Sequence, residues 1–183
     1  MKRGGSPLLR KNRMRHARWL SILIVAALGA AFSWPPTKDI EGDSSWQCTV
    51  KSVHDGDSMR VQCPGSRGSV RLRMHQIDAP ELEQAYGRQA RDRLRALCPT
   101  GTKAHIRVHG TDQYDRLLGD VRCGDKDVNR EMVVSGAAWA YDRHLTDPSL
   151  LDAQKNARRQ RRGLWAARNA EPPWEWRRQQ RRD

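Results

Sequence analysis

The stretch Val70-Arg-Leu-Arg-Met-His-Gln-Ile-Asp-Ala-Pro-Glu-Leu82 changes its hydrophobic period part-way along, and that change sets the fold class. Val70, Leu72 and Met74 fall on one face and Arg71, Arg73 and His75 on the other, which is the period of two of a half-buried strand. From Leu82 onward, Leu82, Tyr86, Ala90, Leu94 and Leu97 recur at steps of three and four. That spacing predicts an amphipathic helix closing near Pro99-Thr-Gly101. Towards the N-terminus, Trp46–Val53 alternates as a strand, Asp55-Gly56 is a hairpin turn, and Ser58–Cys63 returns as the second strand. Towards the C-terminus, Lys103–Val108 and Leu117–Arg122 read as a fourth and fifth strand. Helices follow over about 127–135 and 148–162. The order of three strands, helix, two strands, helix, helix argues against a doubly wound parallel sheet. It predicts a small α+β domain in which a closed barrel carries packed helices.

The chain has 183 residues, a net charge of +13 from 34 Lys+Arg against 21 Asp+Glu, and four cysteines. A mean hydropathy of -0.86 excludes a polytopic membrane protein. The charge is not spread evenly. Residues 1–33 carry seven basic residues and no acid, residues 158–183 carry nine arginines against three acids, and the stretch between is balanced. The basic N-terminal segment leads into Leu20–Phe32, an uncharged and mostly apolar run. This order is that of a secretion signal or an uncleaved membrane anchor, and Pro35-Pro36 keeps the run marginal for a full span. Either way, residues from about 38 onward are expected outside the cytoplasm. The expected organisation is a signal or anchor over 1–33, a linker over 34–45, the folded domain over 46–165, and a basic Pro/Trp/Arg-rich tail over 166–183. Because Cys48, Cys63, Cys98 and Cys123 show no metal-ligand spacing, disulfides are favoured over metal binding, paired 48–63 and 98–123.

Three short stretches bring carboxylates and arginines to strand ends: Asp55-Gly-Asp-Ser58, Asp78-Ala-Pro-Glu81 and Asp112-Gln-Tyr-Asp-Arg116. Each alone reads as a turn or polar loop. Together they suit phosphodiester hydrolysis, which needs a hard cation on oxygen ligands, cationic donors to the phosphoryl oxygens and a group to serve the attacking water. Asp57 and Asp78 supply the oxygens, Arg73 and Arg116 the forks for phosphate, and Glu81 stands where it can orient or deprotonate water.

At these residues the chain resembles the thermonuclease, or staphylococcal nuclease-like, family. The matching motifs are DGDS at 55–58, RMHQIDAPE at 73–81, YGRQA at 86–90, DQYDR at 112–116, VN at 128–129, SGAAWAY at 135–141 and RGLW at 162–165. The resemblance covers about residues 46–165. It implies a five-stranded OB-type barrel with three helices, and a Ca²⁺-dependent nuclease of DNA and RNA leaving 3'-phosphate and 5'-hydroxyl ends. Carried over by position, Arg73, Glu81 and Arg116 fall on the catalytic residues. Asp57 and Asp78 fall on the calcium carboxylates, Ala79 on the residue whose backbone carbonyl is a further ligand, and Tyr114 on a tyrosine that contacts a terminal phosphate. The chain departs from the family pattern at Asp115, which replaces a glycine beside Arg116, and at Gln113, which replaces a lysine.

Other residues carry two readings each. Trp139 and Trp165 read as core. Trp174 and Trp176 either stack on bases of single-stranded nucleic acid or pack back on the domain, in a tail whose composition is that of a partly disordered segment. His75 is either near the site or a surface strand histidine. The whole chain is expected to act as a monomer on DNA and RNA, with contact to a membrane through the N-terminal segment if it is retained. Two rival functions remain from other classes: a nucleic-acid-binding module without turnover, and an envelope interaction domain.

Overall fold

The computed structural model describes residues 45–182; the predicted signal or anchor, and nearly all of the linker, lie outside the described residues. The barrel is built from β1 (Ser45–Val53), β2 (Ser58–Gln62), β3 (Val70–Met74), β5 (Lys103–Thr111) and β6 (Leu117–Cys123). The sheet runs β3-β2-β1-β5-β6 and closes on itself because β3 also pairs with β6, in parallel, with Leu72 opposite Leu117 and Met74 opposite Gly119. Alternation drives the closure. Val50, Met59, Val61, Leu72, Met74, Ile106 and Val121 all point inward and are essentially inaccessible to solvent. Gly119 is required at the seam: a Cβ there would lie 2.8 Å from Ile106 Cγ2.

Helix α1 (Gly87–Leu97) buries Ala90, Leu94 and Leu97, α2 (Val128–Val134) follows the two-residue strand β7 (Lys126–Asp127), and α3 (Ser149–Arg159) packs on α2. Asp127 caps α2 by accepting a hydrogen bond from the Arg130 N–H. Among the described residues, no helix is long and apolar enough to cross a membrane. The expected disulfides are formed, Cys48–Cys63 across β1 and β2 with Cα atoms 4.3 Å apart, and Cys98–Cys123 from the end of α1 to β6 at 5.5 Å.

Three local differences from the sequence-based expectation matter for the site. The predicted helix from Leu82 starts only at Gly87, since residues 82–86 form consecutive turns in which the Gln84 N–H donates to Glu81 O and the Gly87 N–H to Gln84 O. The predicted strand 70–77 is interrupted: Gln76 adopts φ 64°, and the chain resumes as the short strand β4 (Ile77–Asp78), paired with β8 (Trp139–Ala140). The tail is ordered where composition pointed to disorder. Residues Pro173–Gln180 form a fourth helix, α4, started by a proline at its first position. Apolar contact supplies what the missing aliphatic residues do not. Trp174 packs edge-on against Trp139, with ring centroids 5.5 Å apart, and Trp139 meets Trp165 at 4.3 Å. A second small core of Trp139, Ala157, Leu164 and Trp165 thereby forms under α4.

Candidate active site

The Asp55–Ser58 turn is held by its own first carboxylate. Asp55 accepts hydrogen bonds from the backbone N–H of Asp57 (3.0 Å) and Ser58 (2.7 Å) and from the Ser58 hydroxyl (2.6 Å). Asp55 is thus a positioning group for the hairpin that presents Asp57. Gly56 lets this turn come close to its neighbours: a Cβ there would sit 2.6 Å from the Ala79 Cβ and 2.8 Å from the Ala90 Cβ. Close approach brings Asp57 to the 78–81 segment, where its Oδ2 accepts the Ala79 N–H at 2.6 Å.

Asp57, Asp78 and Arg73 form a buried cluster. One guanidinium nitrogen of Arg73 lies 3.2 Å from Asp57 Oδ2 and 2.9 Å from Asp78 Oδ1, while another donates to the carbonyls of Met74 (2.9 Å) and Ile77 (2.8 Å). The kink at Gln76 turns those carbonyls and Asp78 towards Arg73, so the interruption of the strand is what builds the cluster. Burial pushes the Asp57 carboxyl well above the usual carboxylate range. Arg73 opposes this, and the nearby charges of Asp55 and Asp78 add to it. Two carboxylates converging on one cationic nitrogen form a hard oxygen pair, and a further positive charge beside them would relieve the penalty at Asp57. The donor set therefore fits a divalent cation of the calcium or magnesium type, with Asp57 and Asp78 as side-chain ligands.

Arg116 comes from the loop that leads into β6, the strand paired with β3. The 112–116 loop closes on Asp112, whose carboxylate accepts the N–H groups of Tyr114 (2.8 Å) and Arg116 (3.0 Å) and the Arg116 Nε–H (2.7 Å). Partial burial disfavours the Asp112 charge, but these bonds hold its carboxyl below its ordinary value. Asp115, the residue replacing a family glycine, sits at φ 56°. Aspartate is among the few side chains that tolerate this left-handed conformation, so the loop shape survives the substitution. Tyr114 is exposed at the rim, its backbone carbonyl accepting from Arg71 at 2.5 Å and its ring 5.5 Å from the Arg116 guanidinium. Asp57, Arg73, Glu81, Tyr114 and Arg116 line one cleft of about 730 Å³, together with Ala79 and Gln113.

Sequence reasoning missed one participant. Arg177, on α4, donates to Asp78 Oδ2 at 2.6 Å and to Glu81 Oε1 at 2.7 Å, with a longer bond of 3.2 Å to Asp78 Oδ1. Burial works against its charge, yet these bonds to Asp78 and Glu81 hold the guanidinium even more firmly protonated than usual. Helix α4 is pinned at its N-terminal end. Gln84 donates to the Glu171 carbonyl at 2.7 Å, and Trp174 rests on Trp139 and Tyr141. Composition offered only the arginine excess of the tail as a signal, and that excess does not say which arginine turns inward.

His75, left between two readings, lines a neighbouring cavity of about 500 Å³ with Arg73, Tyr114 and Arg116, so it borders the site without entering the cluster. Trp139 and Trp165 are core, as expected.

Residues 71–167 match the family model described as staphylococcal nuclease homologue. An uncharacterized endonuclease of Escherichia coli O157:H7 is 43% identical over 148 residues, covering 80% of this chain and 91% of its own. A protein of Shigella flexneri named micrococcal nuclease is 36% identical over 166 residues, 85% of this chain and 90% of its own. A probable staphylococcal-like nuclease of Oryza sativa subsp. japonica is 40% identical over 111 residues, 61% of this chain but only 29% of that larger protein. The barrel closed through β3 and β6, the arginine and carboxylate cleft at its strand ends and these relatives agree, and the chain belongs to the staphylococcal nuclease family as a nuclease acting on nucleic acid.

Proposed function

We propose that this nuclease is a Ca²⁺-dependent endonuclease that hydrolyses DNA and RNA outside the cytoplasm, leaving 3'-phosphate and 5'-hydroxyl ends. The observation that carries the reading is the convergence of Asp57 and Asp78 on one nitrogen of Arg73, in a cleft shared with Glu81 and Arg116. Asp57, Asp78 and the Ala79 carbonyl hold the ion, which when bound supplies charge that offsets the developing negative charge on a phosphoryl oxygen. Arg73 on β3 and Arg116 just before the paired β6 both reach the phosphate, each already oriented by acceptors of its own, and so need little reorganisation as charge grows on the equatorial oxygens. Glu81 accepts the proton of the attacking water. As the new P–O bond forms, the bond to the 5' oxygen breaks, and that oxygen takes a proton from solvent water and leaves as the 5'-hydroxyl while the phosphate stays on the 3' side. Tyr114, exposed at the rim, meets a terminal phosphate of the substrate.

Arg177 gives this reading a constraint. It holds the Asp78 and Glu81 oxygens that the ion and the water require, so Asp78 cannot serve Arg177 and a divalent cation fully at once. Loading of the site and release of Arg177 are competing equilibria, and a released Arg177, with Arg178 and Arg181 on the same cleft wall, becomes a donor for the phosphate backbone. Two disulfides support an oxidising compartment.

The test is degradation of denatured DNA and of RNA by the purified, disulfide-intact chain. Cleavage is expected with added Ca²⁺ and not with chelator, and Glu81→Gln is expected to cut turnover about 10³-fold while its circular dichroism stays unchanged. Nucleic acid bound but left intact with and without Ca²⁺ would defeat the reading.

A further inference from the structure

A second group of potential ligands lies outside the carboxylate cluster. His75 follows the end of β3, Asp120 is in β6, and His109 is the extra residue of a bulge in β5, where the register with β6 shifts between Val108 and Gly110. Bulges re-aim side chains, and this one leaves His109 beside Asp120 with its Nε2 2.7 Å from Oδ2. His75 is anchored by its backbone, its N–H donating to the Gly119 carbonyl at 2.9 Å and its carbonyl accepting from Asn129 at 2.8 Å. Its ring stacks on that of His109 with centroids 4.2 Å apart. The ligand atoms of the three side chains lie within 4.8 Å of one another.

Two atoms of this group are anomalous. His75 Nδ1 and Asp120 Oδ1 are shut off from solvent and have no hydrogen-bond partner. They face each other at 3.5 Å, too long for a hydrogen bond between them. Buried polar atoms are rarely left unsatisfied. A separation of 3.5 Å is, however, what a shared ion requires, since two donors each about 2.1 Å from a tetrahedral ion stand about 3.4 Å apart. His109 Nε2 completes a set of two imidazoles and one carboxylate, and with its side chain 30% exposed it has room to adjust.

We propose that His75, His109 and Asp120 form a binding site for a borderline divalent transition ion, zinc above all, separate from the Asp57/Asp78 site. The donor chemistry separates the two. The second set offers two nitrogens and one oxygen, which suits Zn²⁺ and not Ca²⁺, whereas the first is all oxygen. Among the cysteines none is free to supply a thiolate, since all four are in disulfides. Three protein ligands leave one coordination position open. An ion here would tie the end of β3, two residues after Arg73, to the β5 bulge that leads into the Asp112–Arg116 loop.

Isothermal titration of the full, chelator-stripped and dialysed chain with ZnCl₂, in millimolar Ca²⁺ to fill oxygen-only sites, tests this directly. One Zn²⁺ per chain is expected. His109→Ala and the isosteric Asp120→Asn should each weaken binding about 100-fold, while Asp57→Asn and His54→Ala, the latter on an exposed residue, leave it unchanged. Co²⁺ bound in place of Zn²⁺ should give a visible spectrum that both ligand variants lose. Failure to take up Zn²⁺, uptake unaffected in a folded His109→Ala or Asp120→Asn chain, or loss of uptake in Asp57→Asn would each overturn the proposal.

Discussion

The segment from Asp55 to Glu81 and the tail from Ala166 to Arg182 face the same cleft, yet they reach it by different physics. The first places its groups through local geometry: an Asp turn, a glycine that admits a close approach, and a kink at Gln76 that turns two carbonyls and Asp78 towards Arg73. The second places Arg177 through docking, because the contacts that hold α4 on the domain, Trp174 against Trp139 and Tyr141 and the Glu171 carbonyl with Gln84, are made with segments remote in sequence. The lesson is that a charge aimed by a turn is carried by its motif, whereas a charge aimed by a docked helix depends on a remote apolar surface. The first should therefore be intolerant of chemical change at a single residue, and the second of loss of packing.

The largest expected effect tests the local half of that contrast. Arg73→Lys keeps the charge but removes the planar fork that reaches Met74 O, Ile77 O, Asp57 and Asp78 together. Turnover should fall about 10³-fold, with the folded state retained by circular dichroism. A loss below about tenfold would mean that charge alone, and not the fork, is what the cluster needs.

Next comes the docked half. Trp174→Ala should cost about 2 kcal/mol in urea unfolding, below the range for a fully buried tryptophan because Trp174 is only partly covered. It should also release Arg177 as a side effect. Arg177→Ala itself should cost about 1 kcal/mol in the metal-free chain, a small value because its side chain is 37% exposed. Both variants should lower the Ca²⁺ concentration for half-maximal cleavage by about tenfold, through the freed Asp78. If Arg177→Ala instead lowers turnover at saturating Ca²⁺, the tail arginine serves the substrate more than it obstructs the ion.

The smallest effect has an unusual sign. Folding raises the Asp57 carboxyl above its unfolded value, mainly by burial. Its contribution to stability is therefore greatest below the unfolded value and is lost as pH rises through the folded value. Asp57→Asn should stabilise the metal-free chain by about 1 kcal/mol at pH 7 while removing the Ca²⁺-dependent rise in melting temperature. Such opposition between stability and function is expected of a site held in a strained electrostatic state.

Much of the fold was legible because period-two and period-four patterns report burial directly. Val70, Leu72 and Met74 announced β3, and Ala90, Leu94 and Leu97 announced α1. The pairings 48–63 and 98–123 followed from which strands flank each turn. The boundaries were less legible where one residue overrides the pattern. Gln76 at φ 64° ends a strand whose alternation continues, and the turns at 82–86 delay a helix whose apolar spacing begins earlier. In the site, motif reading named Asp57, Glu81, Arg73 and Arg116, which line one cleft, and Asp78, which is buried and bonded to Arg73, but Asp55 emerged as a turn-holding group only from its hydrogen bonds.

The sequence by itself determined the barrel strands, the cysteine pairing and the set of carboxylates and arginines at strand ends, because each depends on side-chain alternation or on a few residues in a row. Tertiary structure alone decided that Arg177 reaches Asp78 and Glu81, and that His75, Asp120 and His109 meet. Those groups come from segments 11 to 99 residues apart, and they are brought together by barrel closure, a bulge and tryptophan packing, which no local pattern encodes.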